Sequence, residues 1–281
     1  MATLPWLREA TLGGLDPLLL AVFDIPLFVI ASGSAAAGSR ASAVVATVWT
    51  CLVAAGMAAY STATAAAGWG TLVMALAAGG SVLALCLIAL GRVPMDLLLR
   101  GPLAFRPATP GRGARRHVAA TAAQTVVFWT VFLGVVPSVL ALLERRWGLP
   151  AAFAPSTATA GVALLVLASG LGLCSAWAIA TRGDGTPLPS AMPNRLVVTG
   201  PYRLVRNPMA LAGILQGVAV GLLLSSWLAI AYALCGAVLW HVLVRPREEA
   251  DLEARFGDAY RRYRAEVRCW WPRIRGRAGI A

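Results

Sequence analysis

Residues 196–208 read Leu196-Val-Val-Thr-Gly-Pro-Tyr-Arg-Leu-Val-Arg-Asn-Pro208, and residues 245–263 read Arg245-Pro-Arg-Glu-Glu-Ala-Asp-Leu-Glu-Ala-Arg-Phe-Gly-Asp-Ala-Tyr-Arg-Arg-Tyr263. Between them lies a largely apolar stretch with the polar turn Ser225-Ser226 at its middle. Two apolar segments joined by a short turn form a membrane hairpin. Its two arginine-rich ends are then expected on one side of the bilayer. Half of the chain's 12 carboxylates (Glu248, Glu249, Asp251, Glu253, Asp258, Glu266) fall in this last part. The chemistry is therefore sought here, with the rest of the chain as apolar scaffold.

Composition supports that frame. The 281 residues are 59% hydrophobic and 13% charged, with mean hydropathy +0.73, whereas soluble domains carry about 25% charged residues. Several runs reach the roughly 20 apolar residues that cross a bilayer. The fold expected is all-α: a polytopic transmembrane helical bundle of about seven spans with a cytoplasmic C-terminal helical segment. The spans are read at 17–37, 41–61, 69–91, 119–143, 158–180, 208–224 and 227–243. The first is interrupted by Asp24 and Pro26. An acid at that depth demands either a break in the helix or a polar partner. The N-terminus lacks a charged region and a cleavage site, so this span is read as retained.

The net charge of +12 comes from arginine alone, because the sequence contains no lysine. That excludes a Walker-type phosphate loop and a pyridoxal Schiff base. The arginines flank apolar runs, so the bilayer surface is their expected partner and nucleic acid is not. They cluster in the 92–118 linker, the 181–207 linker and the tail after 244. Alternating spans place all three on one side, which the positive-inside rule makes cytoplasmic. The 144–157 link, with Glu144, Arg145 and Arg146, is the discordant one. The bias to Ala, Gly and Arg suggests a bacterial cytoplasmic membrane. None of the five cysteines forms a CxxC pair, so neither a disulfide framework nor a metal site is expected. Tryptophans near span ends, among them Trp147, Trp240 and Trp270, read as an aromatic belt. Met95–Arg100 reads as a short surface helix.

Three further patterns concern the hairpin. Gly213, Gly217 and Gly221 lie on one helical face, where small residues let two backbones approach in lipid. Asn207 before Pro208 marks a helix start, with Asn207 as cap. A helix start of this kind can receive a carboxylate. The adjacent acids Glu248 and Glu249 have two readings: a solvated helix stabilised by pairs such as Asp251–Arg255, or recognition of a cation or of ribose-type hydroxyls. Tyr260 and Tyr263 share a face and either close a pocket or cover the bilayer surface. His117 and His241 read as interfacial residues, His241 with a secondary claim on the pocket.

Taken in order, Thr-Gly-Pro-Tyr-Arg-x-Val-Arg-Asn-Pro-Met, a two-span hairpin, Glu-Glu-x-x-Leu-x-x-x-Phe-Gly-x-x-Tyr-x-x-Tyr and a closing Trp-Pro resemble the isoprenylcysteine carboxyl methyltransferase family and the related membrane phospholipid methyltransferases. The resemblance covers Arg195–Pro272. It implies an S-adenosyl-L-methionine site formed by Gly200, Pro201, Tyr202, Arg206, Asn207, Pro208, Glu248 and Glu249. It also implies a basic residue near the acceptor, Arg245 or Arg247, in the catalytic set. The acceptor is a lipophilic small molecule or lipid, either an isoprenylcysteine-type carboxylate or a lipid headgroup. Two positions depart from the family pattern: Asn207 stands where His is common, and Ala210 stands where Tyr is usual. Asn keeps a hydrogen bond but takes up no proton near neutral pH. The organisation expected is a scaffold, 1–144, and a methyltransferase-like region, 145–281. Two rivals stand beside this reading. A sterol-reductase-like membrane reductase would bind NADPH, and a non-catalytic transport or lipid-binding protein would bind neither cofactor.

Overall fold

The computed structural model describes residues 5–94, 107–108, 114–187 and 191–272, and the helix expected over Met95–Arg100 lies outside them. The elements among the described residues are helical. They are α1 (Pro5–Leu12), α2 (Pro17–Ala36), α3 (Arg40–Thr64), α4 (Gly68–Leu90), α5 (Arg115–Arg146) and α6 (Ser156–Arg182). A 3-10 turn (Gly200–Arg203) then leads to α7 (Pro208–Leu223) and α8 (Trp227–Leu239, prolonged by the π-helical turn Trp240–Val244). The chain continues into α9 (Arg245–Phe256) and α10 (Asp258–Glu266). From Trp227 to Phe256 the helix is continuous. It leaves the apolar zone at Arg245, where the charged run begins.

Among the described residues, six helices are long and apolar enough to cross a membrane: α2 to α6 and Trp227–Phe256. The chain is an integral membrane protein with a polytopic helical architecture. The remaining expected span, α7, has 16 residues. At 1.5 Å per residue it rises about 24 Å, short of the roughly 30 Å hydrocarbon core. Its ends are fixed by turn chemistry. Pro208 opens it, and Ser225, at φ +50°, follows its close.

The chain divides into two compact units, Met1–Met95 with Leu142–Pro150, and Asp96–Ala141 with Ala151–Ala281. In the first, Asp24 has the polar partner that its depth demands. Its Oδ1 accepts from Trp49 Nε1 at 2.7 Å. Pro26 sits in a π-helical turn, Ile25–Ile30, that keeps α2 unbroken. The α3–α4 hairpin is held by buried hydroxyls: Ser61 and Thr71 lie 2.7 Å apart, and Thr47 donates to Ser81 O at 3.1 Å. Such bonds hold helices together in lipid, where no hydrophobic force does so. The discordant 144–157 link is explained here too. Arg146 Nη2 donates to Ala63 O at 3.1 Å and its Nε to Thr62 O, satisfying carbonyls at the end of α3. Trp147 Nε1 donates to Thr62 Oγ1 at 2.9 Å, so this ring serves packing within the unit as well as any belt.

In the second unit, α6, α7 and α8 pack through small residues. A Cβ on Gly217 would stand 2.8 Å from Ala233 Cβ, and one on Gly221 2.5 Å from Ile230 Cγ1, so the stripe brings α7 and α8 together as expected. Gly213 departs from the pattern, with nothing within 4 Å of its would-be Cβ. The hairpin is tight near its turn and open toward its polar end. Toward α6, Ala212 and Ala219 are fully buried and Gln216 Nε2 donates to Ser169 Oγ at 3.0 Å. The loop after α6 folds on itself, with Arg195 N donating to Gly183 O at 2.9 Å and Asn194 Nδ2 to Ala108 O at 3.1 Å.

Candidate active site

The site begins at Gly200, whose φ of +63° turns the chain into the 3-10 turn. Tyr202 follows, buried against Ala178, Ile179 and Val197. This anchors the segment before the hairpin onto α6. The carbonyl of Tyr202 accepts from Tyr263 Oη at 2.7 Å, which ties α10 to the same turn. Tyr260 and Tyr263 are both buried, with ring centroids 6.3 Å apart. Their burial is at odds with the reading in which these rings cover the bilayer surface. Burial raises the phenols of Tyr202, Tyr260 and Tyr263 above the ordinary tyrosine range, so all three remain neutral hydrogen-bonding groups.

Arg206 is the hub. Its Nη1 donates to Arg264 O at 3.1 Å and to Val267 O at 2.7 Å, covering the carbonyl end of α10. Its Nη2 donates to Glu249 Oε1 at 2.9 Å, and its backbone N–H to Arg268 O at 2.9 Å. Arg245 Nη1 approaches the same carboxylate at 3.8 Å. Residues 43 positions apart are thus joined across the polar end of the hairpin, so its two ends lie together as expected. Arg206 Nε is buried and has no hydrogen-bond partner among the described residues.

The paired acids separate in role. Glu249 is neutralised by Arg206 and Arg245. Glu248 has no ion-pair partner among the described residues. Burial, then the charges of Glu249 and Asp251, push its carboxyl from 4.5 up to about 7. Consecutive helical residues point about 100° apart, so one guanidinium cannot serve both. The solvated-helix reading also holds farther along, where Arg255 Nη1 and Asp251 Oδ2 lie 3.2 Å apart.

The other expected residues are placed as follows. Asn207 stands at the start of α7 but does not cap it: the side chain accepts nothing from the helix, and Nδ2 instead donates to Cys269 Sγ at 3.5 Å. The tail passing beside the helix start takes the amide away. Arg247 Nη1 donates to Leu243 O at 2.9 Å, and Arg245 Nε to His241 O at 3.4 Å, so both arginines also serve carbonyls of the π-helical turn. Such a turn leaves carbonyls that need outside donors. His241 is more than interfacial. Its Nδ1 accepts from Trp270 Nε1 at 2.9 Å, and the Trp240 and Trp270 rings meet edge-on at 5.2 Å. These two tryptophans pin the tail to α8. His117 is buried at 4% exposure. The carbonyls of Arg264, Val267 and Arg268 were invisible to motif reasoning, since a backbone acceptor has no residue type.

Residues 156–259 match the family model for phospholipid methyltransferase. A comparison with curated proteins finds no match. The matched segment runs from α6 through α7 and α8 into α10, and includes the 3-10 turn, Arg206 and both acids. The matched segment is thus similar to the phospholipid methyltransferases, which are grouped with the isoprenylcysteine carboxyl methyltransferases.

Proposed function

We propose that the protein is an integral-membrane methyltransferase of EC 2.1.1 type, dependent on S-adenosyl-L-methionine and acting on a lipophilic acceptor. Region 145–281 carries the activity and 1–144 is its scaffold. The observation that carries this reading is Glu248: a half-buried carboxyl with no ion-pair partner among the described residues, in a segment that matches a methyltransferase family. The fit to the cofactor rests on that carboxyl together with the partnerless Nε of Arg206. One supplies the charge a sulfonium needs, and the other supplies a donor for a polar end.

When bound, the cofactor supplies an electrophilic methyl that an acceptor lone pair takes as the C–S electron pair returns to sulfur. The chain's own residues position and enclose. Glu248 holds the cationic end, and Arg206 Nε donates to a polar group. Gly200, Pro201, Tyr202, Asn207 and Pro208 form the wall on the α7 side. Glu249 keeps Arg206 in place rather than touching the cofactor. Arg245 is shared with Glu249, so Arg247 is the cation left to face an anionic acceptor. Methylation of an ionised carboxylate needs no strong base, and positioning and desolvation supply much of the rate. The acceptor enters from the bilayer at the open end beside Gly213. The arginine-rich end faces the cytoplasm of a bacterial cell.

The test is calorimetry on detergent-purified protein with S-adenosylhomocysteine, and with NADPH in parallel. Saturable binding of the first is expected, with Glu248→Gln weakening S-adenosylmethionine far more than S-adenosylhomocysteine. Binding of NADPH alone would move the protein to the reductases. Binding of neither by folded protein would overturn the enzyme reading.

A further inference from the structure

One face of α5 carries polar groups that the methyl-transfer site does not use. His117, Thr121 and Gln124 are spaced four and three residues apart and so line a single helical stripe. His117 is 4% exposed and Thr121 5% exposed. Each of the three keeps a buried polar atom without a hydrogen-bond partner among the described residues: His117 Nε2, Thr121 Oγ1 and Gln124 Oε1. The opposite face presents Ala119, Ala122 and Val126 outward. The helix is polar inside and apolar outside, the arrangement expected where lipid surrounds it and something polar fills it. Over seven residues the stripe descends about 10 Å. Asp184, the last carboxylate before the loop, marks its mouth, with Oδ1 3.3 Å from His117 Nε2 at an angle that makes no hydrogen bond.

A polar atom without a partner is costly in a membrane interior. Three along one line call for a common partner. We propose that this stripe binds a neutral, hydroxyl-bearing lipid headgroup. The chemistry of the atoms selects it. Gln124 Oε1 can only accept, so the deep end requires a donor. A phosphate brings acceptors alone, and would face both that oxygen and the Asp184 carboxylate. Among the described residues no carboxylate meets Thr121 Oγ1, so an ammonium there would remain an uncompensated charge. A hydroxyl donates to Gln124, exchanges donor and acceptor roles with Thr121, and suits either tautomer of His117. This site does not rest on the methyl-transfer reading, and its test reads binding rather than activity.

The probes are galactosyl-dioleoylglycerol and 1,2-dioleoylglycerol, set against 1,2-dioleoyl-3-acetylglycerol, which keeps the chains and lacks the hydroxyl. Binding to the full chain in detergent is followed by native mass spectrometry. The hydroxyl lipids are expected to bind about tenfold tighter than the acetylated one, the worth of one hydrogen bond. That preference disappears in Thr121→Val/Gln124→Leu and survives in Thr121→Ser, which keeps the hydroxyl and controls for folding. Equal binding of the acetylated lipid overturns the proposal and makes the stripe a line of ordered water. Preference for dioleoylphosphatidic acid or dioleoylphosphatidylethanolamine overturns it as well. So does a preference that the double variant retains.

Discussion

The sharpest consequence of the split acid pair is a pH-dependent affinity that resides in one atom group. Glu248 titrates near 7 because burial and two neighbouring acids oppose its charge. Moving a carboxyl from 4.5 to that value corresponds to about 3 kcal/mol, at 1.36 kcal/mol per tenfold. The sign is that of a raised acid. Between 4.5 and 7 the folded chain holds a proton that the unfolded chain has lost, so stability falls as pH rises through that window. A bound sulfonium reverses the preference, since it favours the ionised carboxylate. Affinity for S-adenosylmethionine should therefore rise about tenfold from pH 6 to pH 8 and then level off, with the proton released on binding. S-adenosylhomocysteine carries the same amino-acid end but a neutral sulfur, and should change far less.

Calorimetry in two buffers of different ionisation enthalpy counts the released proton directly. Glu248→Gln should flatten the pH profile for the sulfonium ligand and leave the thioether ligand nearly unchanged. It should also remove the fall in thermal stability between pH 4.5 and pH 7. A wild-type affinity for S-adenosylmethionine that is level from pH 6 to pH 8 would refute the reasoning. An equal slope for both ligands would show that Glu248 binds ribose hydroxyls instead of the sulfonium.

Other perturbations follow from named contacts. Arg206→Ala removes the donor that joins Glu249 to the carbonyls of Arg264 and Val267. It leaves a buried carboxylate poorly paired, so a loss of about 3 to 5 kcal/mol is expected in thermal unfolding, with earlier proteolysis of the tail. Tyr263→Phe deletes the bond to Tyr202 O and should cost about 1 kcal/mol in the same assay. Burial keeps that phenol neutral, so the difference from wild type should be level up to pH 9. Gly221→Val forces a side chain into Ile230, and about 2 kcal/mol or more of destabilisation is expected from overpacking. Gly213→Ala meets no atom and should be neutral by thermal shift.

Much of the fold was written in the apolar runs, because a bilayer demands long uncharged helices whatever their packing. The limit came at α7. Its apolar run looked like a span, yet Pro208 and the turn at Ser225 stop it at 16 residues. Hydropathy measures greasiness, and turn chemistry sets length. Asp24 shows the converse. The sequence demanded a partner for it, but only folding could choose Trp49, 25 residues away. The buried state of His117 was hidden for a related reason. An arginine-rich stretch reads as surface, yet His117 is buried with Asp184, from the loop after α6, 3.3 Å from its Nε2.

At the site, residue types were legible and their division of labour was not. Glu248 and Glu249 are chemically identical and adjacent, so no motif can rank them. What separates them is the helical step between neighbours, set against the fixed position of Arg206. That position is determined from the other direction, by the carbonyls at the end of α10 and by the buried Tyr202 turn. Once Arg206 is committed to those carbonyls, its remaining Nη2 can reach one acid. The helix phase then makes that acid Glu249. The other keeps its carboxyl without a cation, in a low-dielectric place where charge is opposed. The clip that closes the protein's own structure is therefore what leaves Glu248 available for a cation from outside, and a rearranged Arg206 would remove that availability without touching Glu248 itself.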